Sequence, residues 1–100
     1  WLQSVENESL AFPVTSPAFF DIDYQFEIPT DKAEKIDLNS VESLISLNIV
    51  TIPVNNPKKA TINLLAPIII NATNMQGMQL ILSNSNYPVK HPLFKEETVN

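Results

Sequence analysis

The chain has 100 residues, of which 44% are hydrophobic and 17% are charged, with six Lys, no Arg, no Cys and a net charge of −5. This composition predicts a packed core and excludes disulfides, thiolate metal sites and a cysteine nucleophile. Because nucleic-acid surfaces are normally basic and rich in Arg, we also predict no direct nucleic-acid partner.

No segment is long enough to cross a bilayer as a helix. The longest nearly unbroken apolar run, Leu64–Ile70, has seven residues and contains Pro67, whereas a spanning helix needs about 20. The chain begins at Trp1, with neither an initiator Met nor a basic signal-peptide region. We therefore expect a cytoplasmic fragment or processed chain with no membrane contact.

The fold class follows from the abundance of β-branched residues. Ile, Val and Thr total 24, against six Ala and one Gly, and eight prolines divide the chain into short segments. Short extended segments between turn signals are typical of small sandwiches and barrels. We predict one all-β domain over residues 1–100, a small antiparallel β-barrel-like fold with one or two short helical turns.

The sequence of the first half predicts, in chain order, a hairpin, a further strand and two capped turns. The predicted elements are strands Trp1–Val5 and Leu10–Thr15, a strand at Tyr24–Ile28, helical turns at Asp31–Ile36 after the N-cap Thr30, and a turn capped by Ser40. Thr and Ser suit the N-cap position because their hydroxyls accept from free amides of the first turn.

The second half contains the strongest strand signal, Leu44–Ile52. Its alternation predicts Ile45, Leu47 and Ile49 on the core face and Ser46 and Asn48 on the solvent face. The six residues expected to fill the interior are Ile45, Leu47, Ile49, Ile62, Leu64 and Ile70.

Further strands are expected at Ala60–Leu65, Ile68–Ala72 and Gln79–Leu82. The alternation slips at Leu64 and Leu65, before Pro67, which predicts a bulge or bend. Between the last two strands we expect a turn in which Gly77 takes positive φ. From Asn84 onward the sequence predicts irregular structure.

No catalytic arrangement is visible. His91 is the one His in the chain, and no nucleophile motif accompanies it. Asp21 and Asp23 lack the Gly and closing Glu of an EF-hand loop. We therefore predict no enzyme activity, no cofactor and no metal.

Charge is distributed unevenly along the chain. Nine of the eleven acids lie in residues 1–42, whereas residues 43–95 carry four Lys and no acid. This pattern fits either an ordinary solvated surface or an acidic face that attracts a basic partner. The acids best placed for a partner are those in predicted turns, namely Glu6 and Glu8 around Asn7, and Asp21 and Asp23 beside Tyr24.

A second candidate contact lies near the C-terminal end. Pro88 and Pro92 restrict the backbone around Lys90 and His91 and would present both side chains on a stiff arm. The alternative is a packing strap in which Leu93 and Phe94 cover the end of the barrel.

Several sequence blocks together resemble the flagellar assembly factor FliW family. In order along the chain, the blocks are Trp1–Asn7 with Leu10–Phe12, Phe19–Asp21, Asp23-Tyr24, Ile49–Pro53, Asn63–Asn71 and Tyr87–Leu93. This chain has Ile22 where the family often has Pro, and Lys90 where the family usually has Arg. Family members also have β-strands ahead of the tryptophan that corresponds to Trp1.

The resemblance implies a non-catalytic, β-barrel-like regulator with two protein partners. The family binds the RNA-binding translational regulator CsrA, which relieves repression of flagellin messenger RNA, and it binds flagellin as a competing partner. The alternatives are a small-ligand-binding β-barrel and a non-catalytic fragment of a larger enzyme. A cavity lined by the six interior residues would favour the ligand-binding alternative.

Overall fold

The computed structural model describes residues 2–3 and 11–94, which form eight short strands and one short helix. The strands are β1 (Leu2–Gln3), β2 (Ala11–Phe12), β3 (Val14–Thr15), β4 (Leu44–Thr51), β5 (Thr61–Ile62), β6 (Ile68–Asn71), β7 (Gln76–Gln79) and β8 (His91–Pro92), and the helix is α1 (Thr30–Lys35). Three 3₁₀ turns occupy Pro17–Phe20, Val41–Ser43 and Pro57–Lys59.

Strand β4 organises the sheet because three other strands pair along its length. Leu44–Leu47 pair with β6, Asn48 and Ile49 pair with β3, and the last two residues pair with β5. Strand β7 then adds to β6 and β8 adds to β5, all antiparallel. The predicted all-β class with few helical turns is confirmed, but no ladder within the described ranges joins β3 to β7 or β8 to close a barrel.

The bend predicted before Pro67 separates β5 from β6. Leu47 pairs with Ile68 and Val50 pairs with Ile62, so three steps along β4 correspond to six steps along its neighbour. The three extra residues bulge out of the ladder. Asn63 holds this bend, since its side-chain oxygen accepts from the amides of Leu65 (3.0 Å) and Ala66 (3.1 Å).

The core lies on the opposite face of β4 from the one predicted. Asn48 is fully buried and Val50 is 6% exposed, whereas Ile45 is 39% exposed. The buried cluster is Val50, Ala60, Ile62, Leu64 and Leu93, flanked by Phe20, Ile22, Tyr24 and Tyr87. Of the six predicted interior residues, Ile62 and Leu64 belong to this cluster, and the prediction is wrong for the exposed Ile45.

The turn of the β6–β7 hairpin differs from the predicted one. Met75 takes the left-handed conformation, with φ of 59°, whereas Gly77 lies inside β7 without positive φ. A Cβ at Gly77 would lie 3.0 Å from both the carbonyl oxygen of Ile69 and Cγ1 of Ile70. The glycine therefore serves close packing rather than turn geometry.

The outer edge of β7 has no partner strand among the described residues. Beyond the strand, the amides of Leu80 and Leu82 donate to the carbonyls of Pro67 and Leu65, each at 2.8 Å. Because ladder hydrogen bonds alternate, the amide and carbonyl of the intervening Ile81 face outward. Ile81 is 66% exposed.

Five further predictions can be compared with the structure. The β1–β2 pairing agrees with the predicted first hairpin, and the Ser40 hydroxyl accepts from the Glu42 amide at 3.2 Å, as expected for a cap. Thr30 is the first residue of α1 rather than its cap, because Pro29 occupies the capping position. Tyr24–Ile28 forms no strand, and the segment predicted as irregular contains β8.

Candidate functional site

Three of the predicted contact residues line one surface groove. Asp21, Asp23 and His91 border an open depression of about 770 Å³. Its remaining lining residues are Phe20, Ile22, Lys58, Lys59, Ala60, Thr61, Pro92, Leu93 and Phe94. We call this depression the Asp21–His91 groove. Lys90, which precedes His91 in the chain, is exposed. Glu6, Asn7 and Glu8 lie outside the described residues.

The two aspartates of the groove lining alternate with residues that pack inward. Asp21 ends the first 3₁₀ turn in a left-handed conformation (φ 56°), and its amide donates to the Pro17 carbonyl. Asp21 and Asp23 are exposed, whereas Ile22 and Tyr24 pack against the core cluster. The two carboxylates therefore point outward because the residues between and after them are anchored inward.

Tyr24 anchors this segment to the bend. Its hydroxyl donates to the Leu64 carbonyl at 2.6 Å and accepts from Nδ2 of Asn48 at 3.3 Å. Nδ2 of Asn48 also donates to the Asn63 carbonyl at 2.8 Å. Burial raises the pKa of Tyr24, opposed by the hydrogen bond from Asn48 and supported by the nearby Tyr87. The phenol therefore stays neutral at physiological pH.

Tyr87 supports Tyr24 from the other side. The two rings meet edge to face with centroids 4.7 Å apart. The Tyr87 hydroxyl accepts from the Gln25 amide at 3.1 Å and donates to the Gln25 carbonyl at 2.9 Å. Together the two tyrosines fix the segment that follows Asp23.

The groove lining also contains basic side chains. Lys58 and Lys59 lie on the 3₁₀ turn before β5, and His91 lies on β8, paired with Ile62. The sequence analysis placed both lysines in a loop and did not associate them with a site. Their adjacency in the sequence was visible, but only the β5–β8 pairing brings them beside His91.

The groove lining also contains apolar side chains. Leu93 is 8% exposed and its amide donates to the Ala60 carbonyl at 2.9 Å. The Phe94 ring meets Phe20 edge to face at 5.8 Å, yet Phe94 remains 47% exposed. Leu93 therefore packs into the core cluster, whereas Phe94 is only partly covered, and both residues line the groove.

Within the described ranges, Asp21, Asp23 and Lys58 take part in no ion pair. Across the same residues, no group of three His, Cys, Asp or Glu side chains could hold a metal, and no helix is long and apolar enough to span a membrane. The groove lining combines carboxylate, basic and apolar side chains, which is chemistry suited to binding.

The six predicted interior residues do not line one common cavity. Ile49 and Ile70 border an open depression of about 490 Å³, together with Phe12, Ile68, Met75, Gly77, Met78 and Gln79. Ile62 and Leu64 lie instead in the core cluster. This arrangement does not favour the small-ligand alternative.

Comparison with known proteins identifies a family. Residues 1–93 match the family described as FliW protein. The flagellar assembly factor FliW of Caldanaerobacter subterraneus subsp. tengcongensis is 44% identical over 96 residues, covering 96% of this chain and 63% of that protein. The flagellar assembly factor FliW of Natranaerobius thermophilus is 42% identical over 97 residues, covering 97% and 64%.

A solved structure agrees. A crystal structure of the flagellar assembly factor FliW superposes with a TM-score of 0.89 at 30% identity, covering 95% of this chain and 67% of that one. The chain spans a little under two thirds of the length of the two curated relatives.

Proposed function

Because the chain belongs to the FliW family, we propose that it acts in flagellar assembly as a non-catalytic, cytoplasmic regulator that binds proteins. The proposed partners are a CsrA-type translational regulator, whose repression of flagellin messenger RNA the chain relieves, and flagellin, which competes for it. The family match over residues 1–93 carries this proposal. No cofactor, nucleic acid or membrane is part of it.

The charge pattern supports a CsrA-type partner. A regulator that binds RNA must present basic surface, and nine acids lie within the first 42 residues of this chain. Opposite fields accelerate encounter between proteins, and the acceleration fades as salt shortens the Debye length to about 8 Å near physiological ionic strength. Flagellin, as a filament-forming protein, is expected to rely more on apolar burial.

The proposed contact residues combine the described and undescribed parts of the chain. They are Glu6, Asn7, Glu8, Asp21, Asp23, Tyr24, Lys90 and His91. Of these, Tyr24 is half-buried and its hydroxyl is already bonded to Leu64. Its contribution to binding therefore combines ring contact with support of the neighbouring Asp23.

The experiment is a binding assay with both purified partners. The immobilised 100-residue chain should retain the CsrA-type regulator and, separately, flagellin, and added flagellin should displace the regulator. The association rate of the regulator should fall between 50 and 300 mM salt more steeply than that of flagellin. Retention of neither partner would overturn the proposal, and retention of both without displacement would overturn the competition.

A further inference from the structure

Strand β7 presents main-chain groups that have no partner in the described part of the chain. The Leu80 amide donates inward to the Pro67 carbonyl at 2.8 Å, in register with the β6–β7 ladder. Because the two kinds of residue pair alternate in an antiparallel ladder, the amides and carbonyls of Gly77, Gln79 and Ile81 all face outward. The edge from Gly77 to Ile81 can therefore receive another strand.

The charge pattern favours a second copy of the chain as that strand. Each copy has a net charge of −5, but no charged residue lies between Ala60 and Val89. Strands β6 and β7 both lie within this uncharged stretch. A charged protein gains no electrostatic attraction from these strands, whereas an identical copy meets no like charge on them.

A two-fold pairing of β7 with itself has one register that uses all of the outward-facing groups. With Gln79 opposite Gln79 of the second copy, Gly77 of each copy lies opposite Ile81 of the other. Each of these three pairs exchanges two hydrogen bonds, which makes about six in all. A shift by two residues leaves only two such pairs within this edge. The arrangement is the isologous contact of a two-fold dimer.

In this register an exposed side chain of each copy lies opposite a glycine of the other. Ile81 is 66% exposed and extends from the same face of the strand as Gly77 and Gln79. Gly77 has no side chain and borders the open depression of about 490 Å³, together with Ile70 and Met75. Ile81 of the second copy therefore lies over Gly77 and enters this depression. The symmetry repeats the contact, so both isoleucines are covered.

The structure also leaves room beside Ile81 for the incoming strand. An open depression of about 560 Å³ is lined by residues 25–30 and 80–85. An extended residue in a packed sheet fills about 160 Å³, from a rise of about 3.3 Å, a strand spacing of about 4.8 Å and a layer spacing of about 10 Å. The space therefore holds about three to four residues. The pairing brings residues 75–77 of the second copy to it, and these are uncharged.

From these observations we infer that the 100-residue chain forms a two-fold dimer in which the two β7 strands pair around Gln79 and join both sheets into one. One pair of short strands makes a contact of the small, transient class, so the dimer forms at high micromolar rather than nanomolar concentration. The inference does not depend on the proposed function, because none of the proposed contact residues lies on β7.

A single cysteine tests the register, because the chain has no cysteine of its own. Gln79→Cys places two thiols on directly opposite residues, with Cα atoms about 5.5 Å apart, a separation that a disulfide can span. Gln76→Cys is the matched control, since Gln76 is also an exposed glutamine of β7. Its Cα atoms in the two copies lie six residues out of register, about 20 Å apart. With oxidised glutathione, Gln79→Cys should form a covalent dimer at least tenfold faster, and equal rates would overturn the pairing.

A lysine on the edge tests the interface without a cross-link. Ile81→Lys and Ile52→Lys change the net charge equally at exposed positions (66% and 49%), but Ile52 follows β4 and lies outside this edge. In sedimentation equilibrium, Ile81→Lys should raise the dissociation constant of the dimer at least tenfold and Ile52→Lys less than twofold. Melting temperatures at low concentration should stay within about 2 °C of the parent. A parent chain that is monomeric at about 1 mM, or equal effects of the two variants, would overturn the inference.

Hydrogen exchange distinguishes a second copy from any other occupant of the edge. The amides of Gly77, Gln79 and Ile81 should become protected as the protein concentration rises, whereas the Leu80 amide, bonded to Pro67, should be protected throughout. Protection of the three that does not change with concentration would show that another part of the same chain covers the edge. That result would overturn the dimer, as would exposed amides at a concentration where the chain is dimeric.

Discussion

The hydroxyl of Tyr24 donates a 2.6 Å hydrogen bond to the main-chain carbonyl of Leu64, 40 residues away in the chain. Leu64 lies in the bend between β5 and β6, where its carbonyl has left the regular ladder. Tyr24 follows the segment that carries Asp21 and Asp23. One side chain thus satisfies a carbonyl exposed by the bend and fixes the segment that carries the two aspartates.

Removing this hydroxyl should destabilise the fold. Tyr24→Phe leaves the Leu64 carbonyl without its donor, and an unsatisfied buried acceptor costs about 1–3 kcal/mol. Tyr87→Phe should cost less, because the hydrogen bonds of Tyr87 to Gln25 are exposed. Urea denaturation of both variants measures the difference. Equal losses would contradict the structural role assigned to Tyr24.

The stabilisation from Tyr24 should also depend on pH. Its pKa is raised in the folded state, mainly by burial, so folding favours the neutral phenol. The contribution is therefore complete below the unfolded pKa of about 10 and is lost as pH rises through the folded value. Urea midpoints of the parent and Tyr24→Phe should therefore converge as the pH rises above about 10. A constant difference over that range would contradict this linkage.

Ile69 on β6 and Ile45 on β4 lie on opposite faces of the sheet and test which face is the core. Ile69 is fully buried, so Ile69→Ala should cost about 2–5 kcal/mol. Ile45→Ala, on the opposite and partly exposed face, should cost less than half as much. Chemical denaturation of the pair decides the question, and a larger loss for Ile45→Ala would restore the face predicted from the sequence.

The face of β4 was mispredicted because Asn48 looks like a solvent residue. In a regular strand a polar residue between Leu47 and Ile49 faces water. Here the bend interrupts the ladder that β5 and β6 form with β4. The side-chain amide of Asn48 therefore donates to the Asn63 carbonyl in place of a main-chain donor. Periodicity predicted the strand as Leu44–Ile52, one residue longer than β4. It could not show that the neighbouring break in the ladder would require a buried amide at Asn48. Oδ1 of Asn48 is buried without a partner in the described residues.

The turn after β6 gives a further prediction. Met75 holds φ of 59°, which costs a residue other than Gly or Asn about 1 kcal/mol. Met75→Asn should therefore raise stability by about 0.5–1 kcal/mol, since Asn tolerates this conformation and Met75 is 71% exposed. Thermal melting checks it. A decrease in Tm would show that contacts of the methionine outweigh its backbone strain.

The candidate site was only partly predictable from the sequence. Asp21 and Asp23 stood out because acids in a turn have no role in a core, and His91 because it is the one histidine. The groove lysines were missed because Lys59 and His91 are 32 positions apart in the sequence. Only the short β5–β8 ladder brings them together, and Pro92 had disguised β8 as irregular chain.

The open edge of β7 bears on how the chain behaves in concentrated solution. From Ala60 to Val89 the chain has no charged residue, so the edge lacks the lysines that usually prevent intermolecular strand pairing. Colloidal repulsion must therefore come from the acids elsewhere, through the net charge of −5. High salt, or acidification that protonates those carboxylates, should lower the highest concentration at which the protein is still monomeric. Light scattering measures this limit. A single Ile81→Lys substitution should raise that concentration by placing a charge on the edge itself.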